Sequence, residues 1–270
     1  MLRFGITVML LAIDVGNTHS VIGIYAPGDT EKPSHLWRIA TCITDTVDDL
    51  RGRFLPLLAE DGVDVSCVDR AVYASVVPPL SQSWVSVLSA VFGVEAKACS
   101  AQLAYELGLF SSDYPRPSEI GADRVADAVA AKALYGSPII VVDFGTATNI
   151  EVIDADGAFV GGIIAPGIET SATALFSHAR RLAMVDLVAP EAAIGTSTEE
   201  AIRSGIVLGE ADRVDGLIRR IHAQLGYQAP AVATGGLASL VCAHTELIDH
   251  VNPYLTLAGL KLLAEASGDC

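Results

Sequence analysis

Two short segments of this 270-residue chain repeat one pattern: an apolar run ends in DVGNT at Asp14–Thr18, and a second ends in DFGTAT at Asp143–Thr148. Residues 9–13 and 139–142 have the composition of strands buried on both faces, the second introduced by Gly136, Ser137 and Pro138. Each run stops at an aspartate with a glycine two positions on. A sharp turn is therefore expected at each strand end, with Gly16 and Gly145 taking backbone angles closed to other residues and leaving the turn without a side chain. Turn amides and the hydroxyls of Thr18, Thr146 and Thr148 would supply neutral donors, and Asp14 and Asp143 oxygens for a hard cation. That inventory suits a nucleoside triphosphate. One DxGxT alone reads equally well as a hairpin turn capped by an acid. Two copies, each after a buried strand and each followed by another strand, favour a duplicated phosphate-handling fold.

The rest of the chain repeats in the same order. Residues 21–25 and 36–40 read as strands forming a meander with the first run, 47–58 as a helix, 71–77 as a strand, 79–91 as a helix opened by Pro79, and 94–98 as a further strand. The second half begins alike, with strands at 139–142, 150–153 and 158–164. GGIIAPG at Gly161–Gly167 then leads into a helix over 168–182, followed by helices at 198–208 and 211–225, a strand at 231–234, a glycine pair and a last helix over 256–266. No low-complexity linker divides the halves, so a packed helix is expected at the hinge. The predicted halves are residues 1–120 and 121–270.

Composition narrows the function. No apolar stretch is long enough to span a bilayer, so a membrane role is not expected. The net charge of -15, from 32 acids against 17 lysines and arginines, argues against a nucleic-acid surface. It leaves room for a polyphosphate held by amides, hydroxyls and bound cations, and predicts cation dependence. Cys42, Cys67, Cys99, Cys242 and Cys270 form no CxxC pair, which fits reduced thiols in the cytoplasm. Residues 1–13 carry one arginine and run straight into DVGNT without a small-residue cleavage site, so Met9 is expected as the first residue and 1–8 as an extension.

DVGNT, GADR at Gly121–Arg124, DFGTAT, GGIIAPG, GTSTEEAIRSG at Gly195–Gly205, TGG at Thr234 and LTLAGL at Leu255 together resemble the type III pantothenate kinases, in order and across almost the whole chain. The resemblance implies the duplicated RNase H-like α/β fold of actin, Hsp70 and the acetate and sugar kinases, with the nucleotide cleft between the halves. It also implies a homodimer, a requirement for potassium or ammonium, and ATP-dependent phosphorylation of pantothenate as the first step of coenzyme A synthesis. Carried over by position, Asp14, Val15, Gly16, Asn17, Thr18, His19, Ser20 and Val21 would line the ATP phosphates, with Asp14 on the magnesium side. Tyr114, Gly121, Ala122, Asp123, Arg124 and Thr198 would hold pantothenate, with Asp123 as proton acceptor. Asp143 would ligate the monovalent cation, Thr146 would contact ATP, and Gly235 and Gly236 would let the nucleoside approach backbone. The chain departs from the family pattern at Arg116–Pro117, where the family usually has Asn-Pro, at Asn149 and Glu151 after the second turn, and at Ser197, where the family commonly has Asn.

The chemistry asks for little covalent work: phosphoryl transfer needs alignment and charge neutralisation. Asp123 would serve as an ionised base near its ordinary acidity. The plain alternative makes it a helix N-terminal acid, with Arg124 in a surface ion pair with Asp127 or Glu119. The six histidines show no paired metal-ligand spacing, and Tyr114 alone would be an exposed loop aromatic. Two other functions compete: a kinase for another small hydroxyl substrate on this fold, and a non-catalytic nucleotide-binding accessory protein.

Overall fold

The computed structural model describes residues 8–179 and 184–268. The chain forms two compact units, one from the residues up to Ala130 together with those from Tyr254 onward, the other from Ala131–Pro253. In the first, β1 (Met9–Val15), β2 (His19–Tyr25) and β3 (His35–Ala40) form an antiparallel meander, and β4 (Val68–Ser75) and β5 (Ala96–Ala98) extend the sheet in parallel from the other side of β1, in the order β3-β2-β1-β4-β5. The second unit repeats this with β6 (Ile139–Phe144), β7 (Ala147–Ile153), β8 (Phe159–Pro166), β9 (Ala231–Thr234) and β10 (His250–Val251), ordered β10-β9-β6-β7-β8. Direction of pairing is repeated as well: β6–β7 and β7–β8 are antiparallel, β6–β9 and β9–β10 parallel. The duplication expected from the two aspartate turns is thus present strand by strand.

Each central strand carries apolar residues on both faces because helices cover it. Leu11, Ile13 and Val15 of β1 face α1 (Val47–Glu60) and α2 (Pro78–Phe92), where Phe54 and Trp84 meet edge to face at 5.9 Å. Thr46 and Asp49 form a reciprocal capping box that starts α1. By strand alternation Leu10, Ala12 and Asp14 lie on the opposite face, the side against which α9 (Leu255–Ala266) packs on β1 and β4. In the second unit Ile140, Val142, Phe144, Ile150 and Val152 bury against Val214 and Ile218 of α7 (Gly209–Leu225).

Several boundaries differ from those expected, each for a local reason. α3 (Ala101–Glu106), six residues capped by Ser100, is too short to show a period. α4 (Ala122–Tyr135) follows GADR, and the division between the units falls within it. α5 (Ile168–His178) ends at the cap Ala179, and the last three residues of the expected 168–182 helix lie outside the described ones. The single helix expected over 198–208 is α6 (Thr198–Arg203) followed by a π-helical turn at Ser204–Leu208 that runs straight into α7, so no break precedes Ala211. Short α8 (Ala238–Cys242) and β10 gave no sequence signal. Among the described residues no helix is long and apolar enough to cross a membrane.

The LTLAGL motif explains itself at Gly259. A Cβ there would sit 1.9 Å from the Ala126 carbonyl oxygen of α4, so glycine lets the two helices approach backbone to backbone, one turn from Asp123. Gly259→Ala would gain about 1 kcal/mol of helix propensity, but the methyl group meets a backbone oxygen that no rotamer change relieves. Overpacking of about 1–3 kcal/mol should win. A lowered urea midpoint with an unchanged m-value is the expected result.

Candidate active site

The first aspartate turn is built from the end of β1. Gly16 N–H donates to His19 O at 3.0 Å, and a Cβ on Gly16 would meet that same oxygen at 3.0 Å. Neither Gly16 nor Gly145 has a positive φ, contrary to the expectation of unusual backbone angles. A side chain at Gly16 would press on the His19 carbonyl, whereas a Cβ at Gly145 would meet nothing nearer than Asp143 Oδ2 at 3.4 Å. Asn17 and Thr18 are exposed, Asp14, His19 and Val21 are partly open, and Val15 and Ser20 are buried. Val15 therefore faces the core, and the Ser20 hydroxyl lies 3.2 Å from Thr41 Oγ1.

Asp123 sits in the first turn of α4, where Arg124 N–H donates to its Oδ1 at 2.8 Å. A Cβ on Gly121 would lie 2.5 Å from that oxygen, so the GADR glycine makes space for the carboxylate to fold back over the helix start. Asp123 is a helix N-terminal acid, as the plain reading had it, but an enclosed one. Burial pushes its carboxyl above the usual range, against the lowering by the Arg124 N–H and guanidinium. The expectation of ordinary acidity is not met. One helical turn on, Asp127 is buried, and Glu119 pairs with Arg116 at 2.9 Å. Arg116–Pro117 starts a 3-10 turn over Pro117–Glu119.

Cys99 joins these groups. Its N–H donates to Tyr73 O at 2.7 Å and its thiol to Ala122 O at 3.2 Å, tying the sheet to the start of α4. Burial first, then the charges of Asp123, Asp14 and Asp127, push its pKa up to about 12. Asp14 and Asp123, far apart in sequence, thus act on one thiol together with Asp127, whose i+4 spacing from Asp123 was the sequence signal for it. Tyr114 is half-buried, its N–H bonded to Ser112 Oγ at 2.9 Å.

In the second unit Asp143, next to last in β6, lies opposite Asn149, and Gly145 N–H donates to Ala147 O at 3.0 Å. Gly235 has φ +95°, and a Cβ there would lie 2.5 Å from Asp143 Oδ1 and 2.6 Å from Phe144 O. The TGG glycine therefore makes room for Asp143 and the strand end. This oxygen-only cradle suits a hard cation such as potassium, and the oxygens of Asp14 equally suit magnesium. Among the described residues no group of three His, Cys, Asp or Glu could hold a metal by itself, so other oxygens would have to complete either shell. Glu151 is fully buried on the sheet face shared with Asp143 and Asn149. Thr148 falls on the other face, where its hydroxyl donates to Glu210 Oε1 at 2.6 Å, and Glu210 pairs with Arg213. Strand alternation thus removes Thr148 from the expected phosphate donors, whereas Thr146 is exposed. Ser197 caps α6, accepting from Glu200 N–H at 3.2 Å, a place that Asn fills as well, so that departure is neutral. Thr198, next in line, is exposed.

The sequence model of the family described as type III pantothenate kinase matches residues 10–220. The chain belongs to this family. Type III pantothenate kinases of Roseiflexus sp. (strain RS-1), Desulfosudis oleivorans and Geobacillus sp. (strain WCH70) are 43%, 41% and 38% identical to it, covering 95%, 96% and 97% of this chain and 98%, 100% and 99% of their own. Among solved structures, a Baf family protein from Campylobacter jejuni aligns at TM-score 0.59 and 18% identity over 96% of this chain and 100% of its own. The activator of 2-hydroxyisocaproyl-CoA dehydratase from Clostridium difficile, with bound ADPNP, aligns at TM-score 0.55 and 17% identity over 97% and 96%. These likenesses show the fold alone, the duplicated α/β fold of the actin and Hsp70 type.

Two measurements follow from the acidities. Above the ordinary carboxylate pKa, an ionised Asp123 costs folding stability, and the penalty grows as pH rises through its raised pKa. Asp123→Asn should therefore raise Tm at pH 7 and leave it unchanged in acid, as differential scanning calorimetry would show. For the thiols, exposed Cys42 has its pKa lowered by hydrogen bonds from Thr44. Iodoacetamide at neutral pH followed by peptide mapping should label Cys42 and spare Cys99.

Proposed function

We infer that the chain transfers the γ-phosphoryl group of ATP to the primary hydroxyl of pantothenate, the first step of coenzyme A biosynthesis. The observation that carries this reading is the partly enclosed, glycine-backed Asp123 of GADR, in a chain of the type III family. Asp14–Val21 hold the ATP phosphates, through the exposed Asn17 and Thr18 and the backbone of the buried positions, and Thr146 adds a contact from the second turn. Tyr114, Gly121, Ala122, Arg124 and Thr198 bind pantothenate, Arg124 offering a planar fork to its carboxylate. Asp123 accepts the hydroxyl proton as the oxygen attacks phosphorus and the bond to the β-phosphate oxygen breaks. Enclosure raises its proton affinity, which makes it a better acceptor at neutral pH than an exposed aspartate.

Asp14 would hold magnesium and Asp143 a potassium or ammonium ion. When bound, these cations supply positive charge to the phosphate oxygens. A cytoplasmic homodimer fits the family and the free cysteines. The raised acidity sets the pH response: only ionised Asp123 accepts a proton, so kcat should fall with decreasing pH along a limb lying above the ordinary carboxylate range.

Coupled ADP production is the test. Turnover should require pantothenate and should be lost in sodium alone and restored by potassium or ammonium. Equal rates in all three salts would remove the cation role of Asp143. Asp123→Asn should lower kcat by about a hundredfold or more with ATP binding retained, and turnover within about tenfold of wild type would defeat the base assignment.

A further inference from the structure

Each phosphate turn is tied down by the segment that leaves the outer strand of its own meander. After β3, Thr41 N–H donates to Thr18 O at 2.9 Å and the Thr41 hydroxyl donates to Gly16 O at 2.8 Å. That hydroxyl has one proton, already directed at Gly16 O, so Ser20, 3.2 Å away, donates to Thr41. After β8, Gly167 N–H donates to Thr146 O at 3.1 Å and the Thr170 hydroxyl, from the first turn of α5, donates to the same oxygen at 2.6 Å. Gly167 has to lack a side chain: a Cβ would lie 2.3 Å from Gly145 O and 2.7 Å from Thr146 O. β3 and β8 hold equivalent edge places in the two sheets, so the clamp is duplicated along with the fold.

The consequence comes from peptide planarity. The carbonyl of one residue and the N–H of the next share a rigid plane and point opposite ways. Holding Gly16 O therefore fixes the direction of the Asn17 N–H, and holding Thr146 O fixes that of the Ala147 N–H. Within the turns themselves, Gly16 N–H to His19 O and Gly145 N–H to Ala147 O leave those two peptide planes unspecified.

We propose that Thr41 and Thr170 are positioning residues for nucleotide binding: their hydroxyls orient the two phosphate turns without touching ATP. The proposal rests on the reading of both turns as ATP contacts. Thr→Val at either position keeps the shape and removes the donor, and Thr→Ser keeps the donor. Calorimetric titration with a non-hydrolysable ATP analogue, alongside steady-state kinetics and Tm, separates the possibilities. Each valine variant should weaken analogue binding about tenfold, the scale of one hydrogen bond, with KM for pantothenate unchanged. Each serine variant should return to within about twofold of wild type.

Analogue affinity unchanged in the valine variants, with only Tm or the active fraction reduced, would mean the threonines merely stabilise the fold, and failure of serine to restore affinity would also overturn the proposal. Should Thr41→Val not fold, Thr170→Val on the exposed start of α5 carries the test alone, and unchanged affinity there is sufficient to reject it. If wild-type protein binds the analogue but makes no ADP with pantothenate, the substrate reading fails while the clamp is still judged by analogue binding.

Discussion

The architecture depends on ending a buried central strand in a turn whose carbonyls are held by bonds from beyond the edge strand, so that its backbone keeps one direction. β1 and β6 have strands on both sides and almost every residue of each is buried, so near their ends they open to solvent chiefly at the turn. Carbonyls left there without partners would each cost on the order of 1–3 kcal/mol. Both halves meet the constraint alike, through bonds inside the turn and bonds from the segment beyond the edge strand. Glycine stands where these backbones approach most closely, at Gly167 and Gly235, and the same glycines keep the strand ends free of side chains.

Asp123, the proposed proton acceptor, is under opposing demands. Enclosure penalises its charge, while the Arg124 N–H and guanidinium partly restore it. The glycine before it, the thiol of Cys99 beneath its helix and the backbone contact of Gly259 with Ala126 all fix where the carboxylate stands. Stability is given up locally at this helix start, and the surrounding contacts keep the strained charge in one place.

Much of this was legible in the residues. The two aspartate turns announced a duplication because hydrophobic runs and glycine spacing are local signals, and the strand order repeats as expected. The long helices were recognised from their apolar period, and GADR and DFGTAT marked positions that the fold brings to strand and helix ends. What escaped was short or non-local: α3, α8 and β10 are too brief to carry a period, and the π-helical turn before α7 shifts the buried positions from Ile202 to Val207, out of helical step. Thr148 was misplaced among the phosphate donors because the register of β7, not its place in the motif, decides which face it takes.

The sequence by itself determined the family, the duplicated turns and the candidate residues of the proposed site, since each is written in contiguous motifs. Only the tertiary structure decided how those residues behave. It set the raised proton affinity of Asp123, because desolvation depends on what packs around a group. It gave Gly235 to Asp143 and turned Thr148 toward Glu210. It also brought Thr41 and Thr170 onto turns they do not adjoin in sequence, because hydrogen bonds across a sheet follow strand register and not distance along the chain.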